Sequence, residues 1–305
     1  MKMTGALNKL FIKRFIIGIS RCDIKEVIRV KSFDPDIKWL PQKSLNKFQA
    51  DPFLIDLKED EIYVLLEEFD TTENYAKIAL WSLNDSFELE HSKIILDTKS
   101  HVSYPFVFYE DGKIYVFPES RRSGSLSCYE FNPDQKSLTF VKHLLDIPVE
   151  DATIIKSDGK YWIFSTIFRE DKIYELYVFH SHSLMGPYVS HTANPIKRGL
   201  DGIRSAGAMI VADDCLYRPT QNCNNGYGES ITLNKVTELN EMTFNEIPYM
   251  MISINNKNKL NRNIHTIHTI NVMNDLIVVD GKYWTFAPFH KLFGFIRKHT
   301  KAIVE

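Results

Sequence analysis

Cysteine, long apolar runs and a secretion signal are scarce or absent in this chain, and each absence excludes a class of protein. The 305 residues include four cysteines and no Cys-x-x-Cys pair, so neither a disulfide framework nor a zinc site is expected. No run approaches 18 uninterrupted apolar residues, which excludes a conventional transmembrane helix. Lys13 and Arg14 interrupt the candidate signal sequence, and no small-residue cleavage site follows it. We therefore expect a cytoplasmic protein.

A strong net charge and the common phosphate-binding motifs are also absent. The net charge of −2 gives no reason to expect nucleic acid as a partner. The sequence contains no P-loop, no dinucleotide-binding fingerprint and no nucleophile elbow of a serine hydrolase. His265 and His268 are three residues apart, and on a strand such residues face opposite sides, which argues against a shared metal ion. We expect no cofactor and no metal.

The positive charge that is present lies at the two ends of the chain. Residues 1–31 carry eight basic and two acidic side chains, residues 282–305 carry five and one, and the remainder has a net charge of −12. Apolar residues after position 286 recur at helical spacing among basic residues, so residues 286–305 are predicted to form a basic amphipathic helix. Residues 1–34 are predicted to be a basic segment with a weaker helix of this kind. Both ends could pack on the rim of the intervening domain, or attach the protein peripherally to the anionic inner face of a membrane.

A pattern of two short strands joined by a turn recurs in the middle of the chain. Each copy begins with a short apolar stretch, passes through an Asp, Gly or Asn turn, and ends in an aromatic and β-branched strand, which is the pattern of a β-hairpin. For example, Tyr104–Val107 is followed by Asp111–Val116, and Asp151–Ile154 is followed by Asp158–Ile163. The five copies begin at Asp51, Tyr104, Asp151, Ala206 and His268.

Five such hairpins predict an all-β protein, a five-bladed β-propeller with short terminal helices. The copies start about 50 residues apart, which leaves room for a further strand pair in each interval and so for the four antiparallel strands of a propeller blade. Radial closure protects the edges of such short strands. We assign residues 35–285 to the propeller. The candidate third strands of its blades are Trp81–Leu83, Leu126–Phe131, Leu176–Ser181 and Ile231–Val236.

Several motifs resemble those of known propeller proteins. Ala50-Asp51-Pro52-Phe53 is similar to the opening motif of the five-bladed arabinanase, xylosidase and invertase superfamily. An ordered set of motifs resembles more closely the propeller domain at the N-terminus of the plant glucosamine inositolphosphorylceramide transferases and their bacterial relatives. The resemblance implies a five-bladed propeller that acts on or binds carbohydrate, since such relatives include hydrolases, transferases and binding proteins. The set consists of Ser103–Phe106, Pro118–Ser120, Asp151–Thr153, Tyr161–Phe164, Gly186–Tyr188, His191, Asn194-Pro195, Arg204–Gly207, Tyr217–Gln221 and Tyr227-Gly228.

The register of a propeller brings polar residues together at one mouth of its channel. The first strand of each blade lines the channel and starts at this mouth, and the second strand returns there about 15 residues later. The residues at which the five copies begin then form one ring of side chains. Arg204 and Arg218 flank the hairpin of the fourth blade on the same side. A second ring contains Glu67 or Glu68, Glu119, Thr166 and Gln221.

Three of these carboxylates, Asp51, Glu119 and Asp151, are the catalytic candidates. Glycosyl transfer needs a carboxylate near the anomeric carbon and a second group that manages the departing or attacking oxygen, and crowding of carboxylates raises one pKa so that one group can stay protonated. The resemblance to the arabinanase-like superfamily implies that Asp51 is the general base, or the nucleophile in retaining members. It implies that Glu119 or Asp151 is the acid or the partner that sets its pKa. Each of the three could instead stabilise a turn or a strand end.

The remaining candidates are predicted to bind substrate. Arg204 and Arg218 could clamp a phosphate or carboxylate of a sugar donor, or form salt bridges between blades. Tyr227, which lies between two glycines, could stack on a sugar ring or simply occupy a turn. His268 is expected to contact sugar at the channel mouth. The predicted register adds Glu68, Tyr104 and Gln221 to this set.

Three functions remain open. The first is an intracellular glycosyltransferase-type enzyme of surface polysaccharide or glycolipid biosynthesis, which would take a sugar, nucleotide sugar or phosphosugar as donor and a glycan or lipid-linked acceptor. The second is a glycoside hydrolase of the arabinanase or furanosidase type. The sequence departs from that pattern because no clear general-acid glutamate occurs in the third or fourth blade. The third is a non-catalytic glycan-binding propeller that assists a separate transferase.

Overall fold

The computed structural model describes residues 11–286, except for residues 43, 45, 58–60, 172, 225 and 255–263. Nearly all regular structure in this part of the chain is β-strand, arranged as five antiparallel sheets. Each sheet has four main strands, and two of the sheets each contain a fifth, short strand. The sheets are the blades of a five-bladed β-propeller, so the predicted all-β fold is confirmed.

The strands follow the chain from blade to blade. Strands β1 (Phe11–Arg21) and β2 (Lys38–Trp39) come first, with helix α1 (Ile24–Val30) between them. The first blade contains β3 (Lys47–Ile55), β4 (Ile62–Asp70), β5 (Tyr75–Leu83) and β6 (Leu89–Leu96). The second contains β7 (Ser103–Glu110), β8 (Lys113–Glu119), β9 (Leu126–Asn132) and β10 (Ser137–Leu145), with a short 3₁₀ helix at Arg121–Ser123.

The last three blades follow the same order. The third contains β11 (Glu150–Ser157), β12 (Lys160–Phe168), β13 (Tyr174–Ser181), β14 (Val189–Ser190) and β15 (Lys197–Gly199). The fourth contains β16 (Asp201–Ser205), β17 (Ile210–Ala212), β18 (Cys215–Asn222), β19 (Ser230–Leu239) and β20 (Phe244–Ile252). The fifth contains β21 (Thr266–Met273) and β22 (Leu276–Phe286), completed by β1 and β2. The predicted third strands lie within β5, β9, β13 and β19.

The N-terminal strand closes the propeller. β1 runs antiparallel to β22, from the pair Phe11 and Phe286 to the pair Arg21 and Leu276. The segment that the sequence analysis placed before the propeller, with a weak amphipathic helix, is therefore a strand of the fifth blade over Phe11–Arg21. Its run of β-branched isoleucines favours a strand, and residues 16–20 are buried. Residues 287–305, with most of the predicted C-terminal helix, lie outside the described residues.

The innermost strands are interrupted where they reach the channel mouth. The pairing of β3 with β4 shifts between Ala50 and Phe53, and equivalent shifts occur in the second, third and fifth blades. Asp51, Tyr104 and Asp151 lie within these β-bulges and have positive φ angles of 49°, 42° and 49°. A bulge re-aims a side chain out of the regular alternation of a strand. The bulges thus account for the polar residues that gather at the mouth.

Buried aliphatic and aromatic residues fill the interfaces between blades, and the channel itself is closely packed. A Cβ atom on Gly207, whose φ is 134°, would lie 1.9 Å from the carbonyl oxygen of Ile270, so only glycine allows the fourth and fifth blades to approach this closely. In the described part of the chain, the structure has no helix of sufficient length and apolarity to cross a membrane.

Candidate active site

A polar pocket opens at the channel mouth where the bulges lie. Its volume is about 520 Å³, and all five blades contribute to its lining. Of the residues given a catalytic or binding role from the sequence, six line it together: Asp51, Glu119, Asp151, Arg204, Tyr227 and His268. The other lining residues are Phe15, Phe48, Ala50, Glu67, Phe69, Asn74, His101, Ser103, Arg121, Arg122 and Glu150.

Two predicted residues of the first two blades do not line the pocket. Glu67 and Glu68 alternate along β4, so they face opposite sides, and Glu67 is the one that lines the pocket. Glu68 instead forms an ion pair with Lys47, with 2.6 Å between Oε1 and Nζ. The fully buried Tyr104 hydroxyl lies deeper in the channel, where it accepts a hydrogen bond from the Gly207 N–H at 3.0 Å.

Two predicted residues of the fourth blade also have partners elsewhere. Arg218 is fully buried and forms a bidentate pair with Glu246 of the same blade, with N–O distances of 2.8 and 2.6 Å. The side-chain amide of Gln221 donates to the carbonyl oxygen of Ser205 at 2.9 Å. The structure thus separates the two arginines that the sequence analysis treated alike. Of these two arginines, Arg204 lines the pocket and Arg218 does not.

An ion pair between His268 and Asp280 lies beside Asp51. His268 Nδ1 is 2.9 Å from Asp280 Oδ2 and 3.5 Å from Asp51 Oδ1. Burial alone would lower the pKa of His268, but the Asp280 and Asp51 carboxylates raise it above its usual value. Burial alone would raise the pKa of Asp280, but the His268 imidazolium and the surrounding hydrogen bonds lower it. The raised pKa of His268 and the lowered pKa of Asp280 both favour a buried imidazolium–carboxylate pair.

Asp51, His268 and Asp280 bring potential metal-ligand atoms within 4.8 Å of one another. Asp280 already accepts hydrogen bonds from the backbone N–H groups of Asp51, His268 and Thr269, at 3.0, 3.2 and 2.8 Å, and from His268 Nδ1. A carboxylate has about four lone-pair sites, so these bonds occupy its full accepting capacity. The other ring nitrogen of His268 bonds to Tyr227. We therefore interpret the cluster as a hydrogen-bonded ion pair rather than a metal site.

A second group of carboxyl groups holds protons. Burial, reinforced by the nearby Glu119, raises the pKa of Glu67 to about 8, although a hydrogen bond with the Asp51 carboxyl group opposes this. Burial and the Asp151 carboxylate raise the pKa of Glu119 well above its usual range, and burial does the same for Asp51. Such coupled carboxyl groups titrate together, so at neutral pH the pocket retains protons that acid catalysis requires.

A pair of carboxylates on the third blade is held by arginines instead. Arg204 Nε lies 2.5 Å from Asp151 Oδ2, and its Nη1 lies 3.1 Å from Glu150 Oε2. Arg121 reaches Glu150 from the other side at 2.9 Å. Arg204 is 8 % exposed, so the network is nearly buried, and its guanidinium group is paired with both carboxylates. Arg204 is therefore committed to Asp151 and Glu150, which leaves it less able to clamp a phosphate than the sequence analysis expected.

Sequence reasoning missed an aromatic wall opposite these charges. Phe48 and Phe69 are cross-strand neighbours in the first blade and stack with 4.9 Å between ring centroids. Phe15, on the closing strand β1, packs 5.0 Å from the His268 ring. Ligand pockets usually combine such apolar surfaces with a few placed polar groups. The signal that could have found Phe48 is its position two residues before Ala50 of the Ala-Asp-Pro-Phe motif, because alternate residues of a strand face the same side and Ala50 also lines the pocket.

The comparisons with known proteins agree with this architecture. The sequence model of the family described as glucosamine inositolphosphorylceramide transferase 1, N-terminal, matches residues 41–284. The chain is 32 % identical over 209 residues to glucosamine inositolphosphorylceramide transferase 1 of Oryza sativa subsp. japonica, a match that covers 67 % of this chain and 28 % of the rice protein. The protein of the same name from Arabidopsis thaliana is 33 % identical over 208 residues, covering 66 % of this chain and 27 % of that protein. The chain thus matches little more than a quarter of the plant proteins.

Solved structures of similar fold include glycoside hydrolases. A family 117 glycoside hydrolase from the marine bacterium Zobellia galactanivorans superposes with a TM-score of 0.56 at 12 % identity, over 92 % of both chains. A thermostable family-43 glycoside hydrolase superposes with a TM-score of 0.52 at 17 % identity, over 70 % of this chain and 81 % of that one. At these identities the similarity concerns the fold. By the extent of the sequence match over residues 41–284, the chain belongs to the family of the N-terminal part of glucosamine inositolphosphorylceramide transferase 1.

Proposed function

We propose that this carbohydrate-related propeller is an enzyme that transfers a glycosyl group in the pocket at its channel mouth. One observation carries the proposal: proton-holding carboxyl groups, Glu67 and Glu119, share the pocket with the arginine-paired carboxylate of Asp151. Glycosyl transfer needs a carboxylate beside the anomeric carbon and a group that can protonate the departing oxygen. Both kinds of group are present within one cavity.

The roles follow from the surroundings of each group. Burial raises the pKa of Asp51, but the adjacent His268 imidazolium lowers it and so favours the ionised form. In that form Asp51 is suited to take the proton of the acceptor or to attack the anomeric carbon. Glu119, whose raised pKa keeps it neutral, is suited to protonate the departing oxygen. Asp151 stays next to Arg204 and supplies negative charge near an oxocarbenium-like transition state. The aromatic wall of Phe15, Phe48 and Phe69 would pack against the apolar face of a sugar.

The names of the plant relatives also suggest which substrates the pocket takes. We propose a sugar donor, such as a nucleotide sugar or phosphosugar, and a glycan or lipid-linked acceptor, in the assembly of a surface polysaccharide or glycolipid. The rim residue Arg122, which lines the pocket, is a candidate contact for an anionic donor group. A cytoplasmic location at the inner face of a membrane, through the basic ends of the chain, is part of the same proposal.

The proposal is tested by thermal-shift binding followed by turnover. Wild-type protein is screened against nucleotide sugars, phosphosugars and oligosaccharides, and then assayed with 4-nitrophenyl glycosides in the presence and absence of sugar acceptors. Asp51→Asn should abolish turnover. Asp111→Asn is the matched control, because Asp111 is an exposed aspartate in a hairpin turn with a similar φ of 50°. Product formation that depends on an acceptor would support transfer.

Glycoside hydrolysis is the second candidate, because the same carboxyl groups could activate water in place of an acceptor. Release of nitrophenol without any acceptor, and no transfer product when acceptors are added, would favour hydrolysis over transfer. Ligand binding without turnover of any substrate, with Asp51→Asn losing only affinity, would replace both proposals with a non-catalytic glycan-binding propeller.

A further inference from the structure

Tyr227 is held at the pocket by its hydroxyl group and by its backbone. Its hydroxyl oxygen lies 2.7 Å from His268 Nε2, and the opposite ring nitrogen of His268 lies 2.9 Å from Asp280. The Lys282 ammonium donates to the Tyr227 carbonyl oxygen at 2.8 Å and to that of Gly228 at 3.2 Å. Asp280 and Lys282 are two residues apart on β22 and so face the same side, which lets one strand fix both the hydroxyl and the main chain.

The turn that carries Tyr227 is built for close approach to His268. Gly228 has a φ of 61°, and a Cβ atom there would lie 2.7 Å from His268 Cδ2. The Tyr227 ring already contacts the His268 ring, with 4.7 Å between centroids, and the Arg204 guanidinium at 4.9 Å. About a third of the residue, 36 %, remains exposed and lines the pocket. The ring thus contacts His268 and Arg204, and the residue still forms part of the pocket wall, where a ligand can reach it.

The hydrogen bonding of this group makes the Tyr227 hydroxyl a donor toward the pocket. With His268 protonated, Nε2–H donates to the Tyr227 oxygen, so the phenolic proton must point elsewhere. Among the described residues no other group bonds to this oxygen. Removal from water raises the pKa of Tyr227 well above its ordinary value, so the hydroxyl keeps its proton. A hydroxyl backed by a cation is a stronger donor than an isolated one.

We propose that Tyr227 is a further catalytic residue, whose hydroxyl donates a hydrogen bond to the oxygen that departs from the anomeric carbon. This inference rests on the proposed glycosyl transfer. As the bond from the anomeric carbon to that oxygen breaks, its electron pair stays on the oxygen, which then receives a proton from Glu119. The new bond to the anomeric carbon is formed either by the Asp51 carboxylate or by the acceptor oxygen, whose proton passes to Asp51. A hydrogen bond from Tyr227 would stabilise a sugar hydroxyl that stays neutral only a little. It would stabilise most strongly an oxygen that becomes negative in the transition state. His268, Asp280 and Lys282 are positioning residues.

The test compares two leaving groups in wild type and Tyr227→Phe. The probes are the 4-nitrophenyl and methyl glycosides of the same sugar, and kcat is measured for each. Nitrophenolate departs readily without help, whereas a methoxide leaving group requires it. Tyr227→Phe should therefore lower kcat on the methyl glycoside by about 10²- to 10³-fold and on the nitrophenyl glycoside far less. Tyr249→Phe, at a tyrosine that packs on Tyr217 away from the pocket, is the matched control and should leave both rates unchanged.

Each outcome decides the role. An equal loss on both glycosides, or no loss, would overturn it while leaving the proposed function in place. No turnover by wild type of either glycoside, of nucleotide sugars or of phosphosugars would overturn the proposed function and this role together. Turnover of nucleotide sugars or phosphosugars alone would overturn the role of Tyr227 and leave the proposed function in place. Lys282→Met gives a second variant if Tyr227→Phe does not fold, because it frees the turn without removing the hydroxyl. Lys282→Met should lower kcat less than Tyr227→Phe does, and again more on the methyl than on the nitrophenyl glycoside. An equal loss of kcat on both glycosides would contradict the role of Tyr227.

Discussion

The backbone N–H of Asp151 donates a hydrogen bond to Glu119 Oε2 over 3.2 Å, which joins the third blade to the second at the pocket. Asp51 makes the equivalent bond, to Asp280 Oδ2 of the fifth blade at 3.0 Å. In both cases the positive φ of a bulge turns the N–H group toward a carboxylate of the preceding blade. The same carboxyl groups therefore connect blades and supply the chemistry of the pocket.

Two substitutions of Glu119 should separate these two contributions. Glu119→Gln keeps an oxygen that can accept the Asp151 N–H but cannot deliver a proton, so activity should fall by about 10²- to 10⁴-fold with little change in thermal stability. Glu119→Ala also leaves a buried N–H without its acceptor, which should cost a further 1–3 kcal/mol or so of unfolding free energy. Chemical denaturation and kcat, measured on both variants, check this. An active Glu119→Gln protein would remove Glu119 from the reaction.

The pKa of Glu67 predicts a pH dependence of stability. Its pKa rises from an ordinary 4.5 to about 8 on folding, so the folded state binds more protons than the unfolded state between these values. Glu67 therefore makes its whole contribution to the unfolding free energy below pH 4.5, and this contribution is lost as the pH rises toward 8. Glu67→Gln should flatten this slope in urea titrations made from pH 5 to pH 8. Glu68→Gln, at the adjacent residue that pairs with Lys47, should leave the slope as it is in wild type.

Removal of the Asp280 charge should affect both folding and His268. Asp280→Asn leaves a buried imidazolium without its carboxylate, a change that typically costs about 3–5 kcal/mol. Because Asp280 raises the pKa of His268, the variant should show a lower His268 pKa in an NMR titration. The other titratable groups that face this ring, Asp51, Asp151 and Tyr227, are unchanged in the variant. Asp275→Asn, at an exposed aspartate of the same hairpin, is the control and should alter neither property.

The propeller and six of the 17 residues that line the pocket could be predicted from sequence because both depend on local pattern. The hairpin repeat fixes where each innermost strand begins, and this placed Asp51, Asp151 and His268 at one mouth. The choice between Glu67 and Glu68 depends on a register of one residue, which the repeat alone does not specify.

Other features depend on contacts between distant parts of the chain. Phe15 reaches the pocket only because β1 pairs with β22, about 270 residues later, and a short segment rich in isoleucine and basic residues also fits a helical pattern. Asp280 was not a candidate, because its four hydrogen-bond donors come from two blades and become neighbours only when the ring of blades closes.

The two arginines that the sequence treats alike should respond differently to substitution. Arg218 is fully buried against Glu246 outside the pocket, so Arg218→Met should destabilise the fold, by about 3–5 kcal/mol, without changing the affinity of the surviving folded protein for ligand. Arg204 pairs with Asp151 and contacts the Tyr227 ring. Arg204→Lys keeps a positive charge but loses the fork that joins Asp151 to Glu150, so it should lower kcat more than stability. Thermal unfolding and turnover, measured for both variants, check this contrast. If Arg218→Met impaired turnover at full folding, the placement of Arg218 outside the reacting site would be wrong. If Arg204→Lys spared turnover, the assignment of Arg204 to that site would be wrong.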